Sequence, residues 1–347
     1  MKKTRLISSI LLITILGGCM ILQVSCRKNL LDQQPTTELA ANAFWKTEAD
    51  AVSGLMGLYA AARPCFDRDY YFDGQAEYVR ARGTSTTNGN LRLGDAYNGG
   101  NYNPSGYAAS FDKMYRYLYG AVNRANYVID NVNKMEAAGT TSDALETIKG
   151  ESALLRGMAY FKLISMWGDV PYFTNVVNEN QAVSDLARTP IGQVKDSILA
   201  DFNYAFDKLP EHAADLGRAS KPAALAFRGK LELYWASWNK NGWPELEGFT
   251  PSASEALAAY TAAAADFKSV IDNYGLSLYM NGEPGDIDSL GKADVLPNYY
   301  YLFTPKANGN PEMIMVFTHG GTGTSQGEEL MRDFAGRSHE GSQCWVS

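Results

Sequence analysis

Apolar residues recur at intervals of three and four through the middle of the chain. That spacing sets them on one face of successive α-helices. Phe111, Met114, Leu118, Val122, Ala125, Ile129 and Val132 mark one helix. Leu145, Ile148, Leu155, Met158, the stem of Lys162 and Trp167 mark the next, which Gly168 and Pro171 stop. Ile191, Val194, Ile198, Phe202, Ala205 and Leu209 form a third, ended by Pro210. Ala224, Phe227, Leu231, Tyr234 or Trp235, and Trp238 form a fourth. Leu257, Tyr260, Ala264, Phe267, Ile271 and Tyr274 form a fifth. Upstream, Thr47-Glu48-Ala49-Asp50 reads as an N-cap with an acid three residues on. Val52, Leu55, Met56 and Tyr59 follow at helical spacing, and Pro64 ends the run. Long helices joined by loops predict hairpins, so the expected class is mainly α, an α-superhelical scaffold with large irregular loops. The hairpins are spaced more loosely than a strict repeat of about 34 residues.

The pattern breaks in four places. Lys2, Lys3 and Arg5 precede an apolar run from Leu6 to Leu22, and Val24-Ser25-Cys26 follows. This is the layout of an export signal, so residues 1–25 are set apart from the core. A cysteine at the cleavage point predicts lipidation of Cys26 and a body tethered to a membrane, held firmly because each buried CH₂ contributes ~0.8 kcal/mol. Leu16-Gly17-Gly18-Cys19 fits the usual lipobox better by letter, but cleavage there leaves the apolar tail Met20–Val24. Cleavage at Cys26 puts polar chain directly after the anchor. A plain signal peptide or an uncleaved anchor helix is the plainer alternative; the apolar run is near the lower limit for a spanning helix. Residues 27–45 carry no helical period. Residues 83–107 are rich in Gly, Asn and Tyr, which predicts a long irregular loop; such loops in compact domains tend to carry function or lack order. From Tyr279 the period fades again. Only Met313–Phe317 stands out there, as a short strand-like or buried run. The domain organisation is therefore 1–25, signal, and 26–347, one domain. The domain comprises a lead-in and helix (26–82), a loop (83–110), a helical scaffold (111–275) and a loop-rich C-terminal part (276–347).

Composition narrows the classes. With 46% hydrophobic and 20% charged residues over 347 positions, the chain is ordinary globular protein. Its formal charge is −7; losing residues 1–25 removes three basic residues and no acids, leaving about −10. That argues against nucleic acid as a partner, since phosphate binding needs a basic patch. Tyrosine is abundant, 21 against 14 Phe, and a phenol suits surfaces where one side binds and the other stays wet. Core and boundary packing accounts for most of them. Cys65 and Cys344 do not make a disulfide framework, and sequence alone does not show whether they approach. His212, His319 and His339 are scattered and none stands at metal-ligand spacing, so no cofactor and no metal are expected.

Catalytic patterns are weak. Ser237-x-x-Lys240 matches a serine–lysine pattern whose partner motifs are absent. Glu245 and Glu247 mimic a glycosidase pair, but adjacent acids in a loop are usually solvated. Asp286, Asp288, Gly291 and Asp294 partly fit a calcium loop that Leu290 and Pro297 break. No acid, base and nucleophile constellation emerges, and the expectation is a protein that is not an enzyme. A surface-anchored glycan hydrolase is the competing class.

Several segments occur together, in order, in one family. Cys26 is followed by Leu30-Leu31-Asp32-Gln33-Gln34-Pro35, then Phe44-Trp45-Lys46-Thr47 and Leu58-Tyr59. Tyr119 and Asn123–Ile129 come next, then Lys149–Phe161 with Trp167-Gly168-Asp169-Val170-Pro171. Gly217–Ala224 and Asn310–Ile314 close the series. The chain resembles the SusD/RagB family of outer-membrane nutrient-binding lipoproteins. The resemblance covers residues 26 to about 318 and implies a scaffold of tetratricopeptide-like helical hairpins. It also implies a surface subunit, lipid-anchored in the outer membrane, that captures substrate for a TonB-dependent transporter barrel. The usual cargo is an oligosaccharide, and some relatives capture peptides. Members usually continue well beyond this length, so a C-terminally truncated chain is expected.

Sugars are held by stacking on aromatic rings beside fixed polar groups. The resemblance places a ligand-facing loop between Arg80 and Tyr107. Arg80, Arg82, Asp95, Tyr97, Asn101 and Tyr102 are its candidate ligand residues, against the plainer reading of a loop that touches the transporter. Tyr299 and Tyr300 are a second candidate, and Trp238 to Trp243 a third. For Glu151 and Arg156 an ion-pair or packing role is expected.

Overall fold

The computed structural model describes residues 44–66, 79–81, 107–178, 185–213, 215–243, 246, 248–283, 298–319 and 344–346, with backbone alone at 79–81, 107–113, 299 and 344–346. Cys19, Cys26, Arg82, Asp95, Tyr97, Asn101 and Tyr102 lie outside the described residues. So do most of the 83–110 loop, Glu245, Glu247 and the calcium-like segment. The chain divides into two compact units, Met1–Trp45 and Lys46–Ser347. In the first, Phe44 meets Trp45 edge-on at 5.4 Å. Every element below belongs to the second.

Helix α1 spans Glu48–Phe66. The Thr47 N–H and hydroxyl donate to the Asp50 carboxylate at 2.8 and 2.7 Å, and the Asp50 N–H donates back to the Thr47 hydroxyl at 3.3 Å. This is the reciprocal cap that the sequence predicts. Pro64 lies inside α1 instead of ending it. Proline removes one helical hydrogen bond, but packing holds the final turn: Cys65 is fully buried and Phe66 stacks on Phe317 at 5.5 Å.

Four long helices and a terminal fifth follow: α2 (Tyr107–Ala137), α3 (Asp143–Trp167), α4 (Ile191–Lys208), α5 (Lys221–Asn241) and α6 (Ala253–Asn273). Each packs against the next in sequence, and α1 rests on α2 and α3. Side-chain pairs fix the directions. Glu136 meets Lys149, and Tyr115 meets Trp167, so α2 and α3 are antiparallel. Gly150 lies against Lys208 and Gly157 against Phe202, so α3 and α4 are antiparallel as well. Arg228 with Asp266 and Trp235 with Glu255 do the same for α5 and α6. The fold is mainly α, and nearest-neighbour stacking of hairpins is the logic of helical-repeat proteins.

Helix α3 departs from the one-face expectation. It is buried on all sides, from Lys149 through Leu155 and again from Gly157 through Phe161. A helix apolar all round sits in the middle of a core, and α1, α2 and α4 enclose this one. Close approach requires glycine: a Cβ on Gly157 would lie 2.6 Å from the Phe202 ring, and one on Gly229 2.8 Å from Phe267.

Two further expectations are corrected. Helix α6 buries Ala256, Ala259, Ala263, Asp266 and Val270. Leu257 and Ile271, assigned to its core face, are each 70% exposed. The alanine seam wins because small residues let α6 approach α5 closely, and Asp266 is drawn inward by Arg228, whose Nε donates to it at 2.7 Å. Met313–Phe317 forms no strand and is only partly covered; Phe317 caps Phe66 and Tyr59 from an irregular segment. The strands that do form, β1 (Val79–Ala81) and β2 (Cys344–Val346), pair antiparallel, with Arg80 opposite Trp345. Short helix α7 (Asn298–Leu302) stands near the turns at Tyr279–Gly282 and Pro305–Ala307.

Buried charges are paired, as expected for Glu151 and Arg156. Glu151 is 1% exposed; Arg218 clamps it with Nε at 2.7 Å and with a second guanidinium nitrogen. Tyr59 donates to the same carboxylate at 2.6 Å and accepts the Ala219 N–H at 2.8 Å. Arg156 grips Asp201 through two nitrogens at 2.9 and 2.6 Å and donates to the Asn126 side chain at 2.8 Å. These networks tie α1 to α3 and to the turn before α5, and α2 to α3 and α4.

Candidate functional site

A cavity of about 420 Å³ opens between α2 and the segment that follows α3. Tyr115, Arg116, Tyr119, Gly120 and Asn123 line it from α2, and Pro171, Phe173, Val177 and Asn178 from the segment. Positions 115, 119 and 123 are four apart, so a single helix face presents them together. Tyr119 stacks on Phe173 at 5.7 Å and meets Tyr115 edge-on at 4.7 Å; Tyr115 in turn is edge-on to Trp167 at 5.2 Å. The wall is therefore continuous aromatic surface.

The segment is pinned by side chains that replace a regular ladder. Asn123 donates to the Val177 carbonyl and accepts the Val177 N–H, both at 2.8 Å. Asn126 donates to the Asn175 carbonyl at 3.1 Å. The Tyr160 hydroxyl donates to the Phe173 carbonyl at 2.8 Å and accepts its N–H at 2.9 Å. The Tyr119 hydroxyl donates to the Pro171 carbonyl at 2.7 Å. Burial, with the Tyr115 hydroxyl beside it, pushes the Tyr119 phenol up, so it stays a neutral donor. The wall is fixed before any ligand arrives, and pockets of 300–1,000 Å³ with aromatic walls and few polar groups suit small ligands.

A groove of about 500 Å³ between α4, α5 and α6 is less suited to stacking. Its aromatic floor, Trp235, is covered by the Lys195 ammonium at 5.1 Å, and Lys195 is paired with Asp196. A third cavity of about 310 Å³ lies between α1, the 215–218 turn and Phe317, over the Tyr59–Glu151–Arg218 network.

Of the loop and Tyr299–Tyr300 candidates, only Arg80, Tyr299 and Tyr300 are among the described residues. The backbone of Arg80 is on β1 and that of Tyr299 on α7. Tyr300 is half-exposed and edge-on to Tyr301 at 5.7 Å. None of the three is in the described lining of the cavity. Sequence reading missed Tyr115 and Phe173 altogether. It used Tyr119 and Asn123 only as marks of family resemblance. The signal was the spacing of Tyr115, Tyr119 and Asn123, an aromatic–amide stripe on α2. The Ser237 hydroxyl donates to the Leu233 carbonyl of its own helix at 2.8 Å, as helical serines do. Among the described residues no group of three His, Cys, Asp or Glu is placed to hold a metal ion.

A stack of antiparallel helical hairpins with a rigid aromatic cavity beside its second and third helices defines a helical-repeat scaffold protein. The chain belongs to the SusD-like family: the family model described as "Starch-binding associating with outer membrane" matches residues 31–233. A SusD-like protein of Bacteroides ovatus is 26% identical over 340 residues, covering 94% of this chain and 54% of that protein. Among solved structures, NanU of B. fragilis superposes with a TM-score of 0.59 at 19% identity, over 87% of this chain and 53% of NanU. A laminarin-binding SusD-like protein gives 0.54 at 24% identity, over 78% of this chain and 51% of its own. These likenesses carry the fold. The chain spans about half the length of the curated relatives it matches.

Proposed function

We propose that this protein is a non-catalytic glycan-binding lipoprotein of the outer membrane. It captures oligosaccharide at the cell surface and hands it to a TonB-dependent transporter barrel. The observation that carries the reading is the cavity walled by Tyr115, Tyr119 and Phe173. Pyranose rings stack their C–H faces on such walls, while Asn178 and Arg116 in the lining offer polar side chains to hydroxyls. Family membership supports it, and so does a relative described as laminarin-binding. The loop assigned to the ligand from sequence, with Arg80, Arg82, Asp95, Tyr97, Asn101 and Tyr102, runs directly into α2. Tyr115 stands only eight residues past the first residue of that helix, roughly 12 Å along its axis. Loop and cavity are read as two parts of one site.

Tyr115→Ala is expected to weaken oligosaccharide binding by about 1–2 kcal/mol, the scale of truncating an aromatic contact, with the helical circular dichroism unchanged. Calorimetry of the protein against starch, laminarin and xyloglucan, with product analysis of the same mixtures, tests the reading. Binding without cleavage supports it; sugar release returns the hydrolase, and retention of peptides alone replaces the cargo. The anchor is Cys26. Mass spectrometry of the mature N-terminus is expected to show a lipidated Cys26, and Cys26→Ala is expected to leave the membrane fraction. A Cys26→Ala protein that still sediments with membranes would remove the anchor.

A further inference from the structure

We infer that the Trp238–Trp243 pair is a second sugar-stacking subsite, which takes a distal unit of the same oligosaccharide whose other end fills the Tyr115–Tyr119 cavity. This rests on the glycan-binding reading above and names the length class of ligand: a chain long enough to span both points.

The observations are local and mutually supporting. Helix α5 ends at Asn241, and Gly242, at φ +81°, turns the chain back on itself. That reversal needs a residue without a Cβ. It lays the Trp243 ring flat on Trp238, with centroids 3.9 Å apart and planes 10° from parallel. Tyr234 meets both rings edge-on, at 6.1 and 6.0 Å, and Phe249 meets Trp243 at 6.3 Å. The pair is thus braced from its edges. Trp235, on the same helix, is 8% exposed and belongs to the core, whereas Trp238 and Trp243 are both only half-buried. Each indole covers one face of the other, so the platform is the outer face of the pair, held flat at little cost in conformational entropy. Lys240 and Asn241, both exposed, lie beside them and supply polar partners for hydroxyls.

The platform and the cavity share one end of the helical stack. The Tyr234 hydroxyl donates to the Ile164 carbonyl at 3.3 Å, in the last turn of α3. Trp167, one turn on, touches Tyr115 in the cavity wall. Leu246, three residues after Trp243, lies 3.4 Å from where a Cβ of Gly168 would stand. Phe173, Tyr119, Tyr115 and Trp167 form one chain of ring contacts and Tyr234, Trp238 and Trp243 a second, and the end of α3, through Ile164 and Trp167, stands between them.

Two stacking points on one ligand act together only if the ligand reaches both, and that gives the test. The full chain is titrated with whichever of starch, laminarin and xyloglucan it retains, and separately with the disaccharide cut from that polysaccharide. Trp243→Ala is expected to weaken the polysaccharide about tenfold and to leave the disaccharide unchanged. Tyr115→Ala is expected to weaken both. Trp243→Phe, which keeps a flat ring and the fold, is expected to retain most of the affinity, and a polysaccharide-induced shift in tryptophan fluorescence is expected to disappear in Trp243→Ala. Equal polysaccharide affinity in wild type and Trp243→Ala would overturn the subsite and leave the cavity reading intact. Equal loss for both ligands, with altered circular dichroism, would make the pair structural and also overturn it. A wild-type protein that retains none of the three polysaccharides removes the glycan reading and this inference with it.

Discussion

Glu151→Ala is expected to destabilise the fold by about 3–5 kcal/mol, because it removes one partner of a buried ion pair and leaves the other behind. The carboxylate is 1% exposed and accepts hydrogen bonds from Arg218 and from the Tyr59 hydroxyl. Without it the guanidinium, only 16% exposed, keeps its desolvation cost and loses its counter-charge. Tyr59 loses its acceptor while still receiving the Ala219 N–H. The damage reaches three elements at once, since Tyr59 is on α1, Glu151 on α3 and Arg218 in the turn before α5. Urea unfolding of wild type and variant measures the difference. A loss below about 1 kcal/mol, the value of an ordinary exposed pair, would show that the network does not hold these elements together. Replacing Glu151, Arg218 and Tyr59 together by apolar residues of similar volume is expected to recover much of the loss, as buried pairs can be exchanged for packing.

Ile198→Asp is expected to cost about 4–5 kcal/mol or more, at the upper end of single substitutions. Ile198 is fully buried on α4, on the face that also carries Val194, Phe202 and Ala205. Asp201 shows what a carboxylate needs in this interior. It is 6% exposed, and burial pushes its carboxyl up while the Arg156 guanidinium pulls it back down. Arg156 is already committed to Asp201 and Asn126. The new carboxylate would be buried charged and unpaired, or held protonated; in the second case unfolding at neutral pH releases the proton, so a cost beyond lost packing remains either way. Thermal melts at neutral pH and near pH 4 check this: the gap between Ile198→Asp and wild type is expected to narrow in acid, where the unfolded aspartate also keeps its proton, and a gap that does not change would show that only packing is lost.

Much of the helical fold is legible along the chain. The Thr47–Asp50 cap, the Gly168 stop and the 191–209 face follow from residue type and spacing within a few positions, and each appears as expected. What failed did so for reasons that spacing does not contain. Pro64 is tolerated because Cys65 and Phe66 are held by distant partners. On α6 the period was right and the face was wrong. Alanine and a buried aspartate outcompete Leu257 and Ile271 for the seam because the approach of α5, through Gly229 and Arg228, rewards small size and a counter-charge more than area. The cavity has the same character. Sequence points to tyrosine-rich loops, since an aromatic in a polar loop is conspicuous. A tyrosine on a helix looks like core until the opposing chain is placed.

The sequence by itself determined the class, the helix count in the scaffold, the Thr47 cap, the Gly168 stop and the family, because these depend on local periodicity and on short ordered blocks. The tertiary structure alone decided which side of α6 is inside, that α3 is enclosed on every side, and that Tyr115, Tyr119 and Phe173 face one another. The last depends on Asn123 and Asn126 holding residues 175–177 to α2 across about fifty positions of chain, and on Tyr160 pinning Phe173 to α3. Hydrogen bonds between such distant residues leave no period in the sequence, and they set the position of the wall.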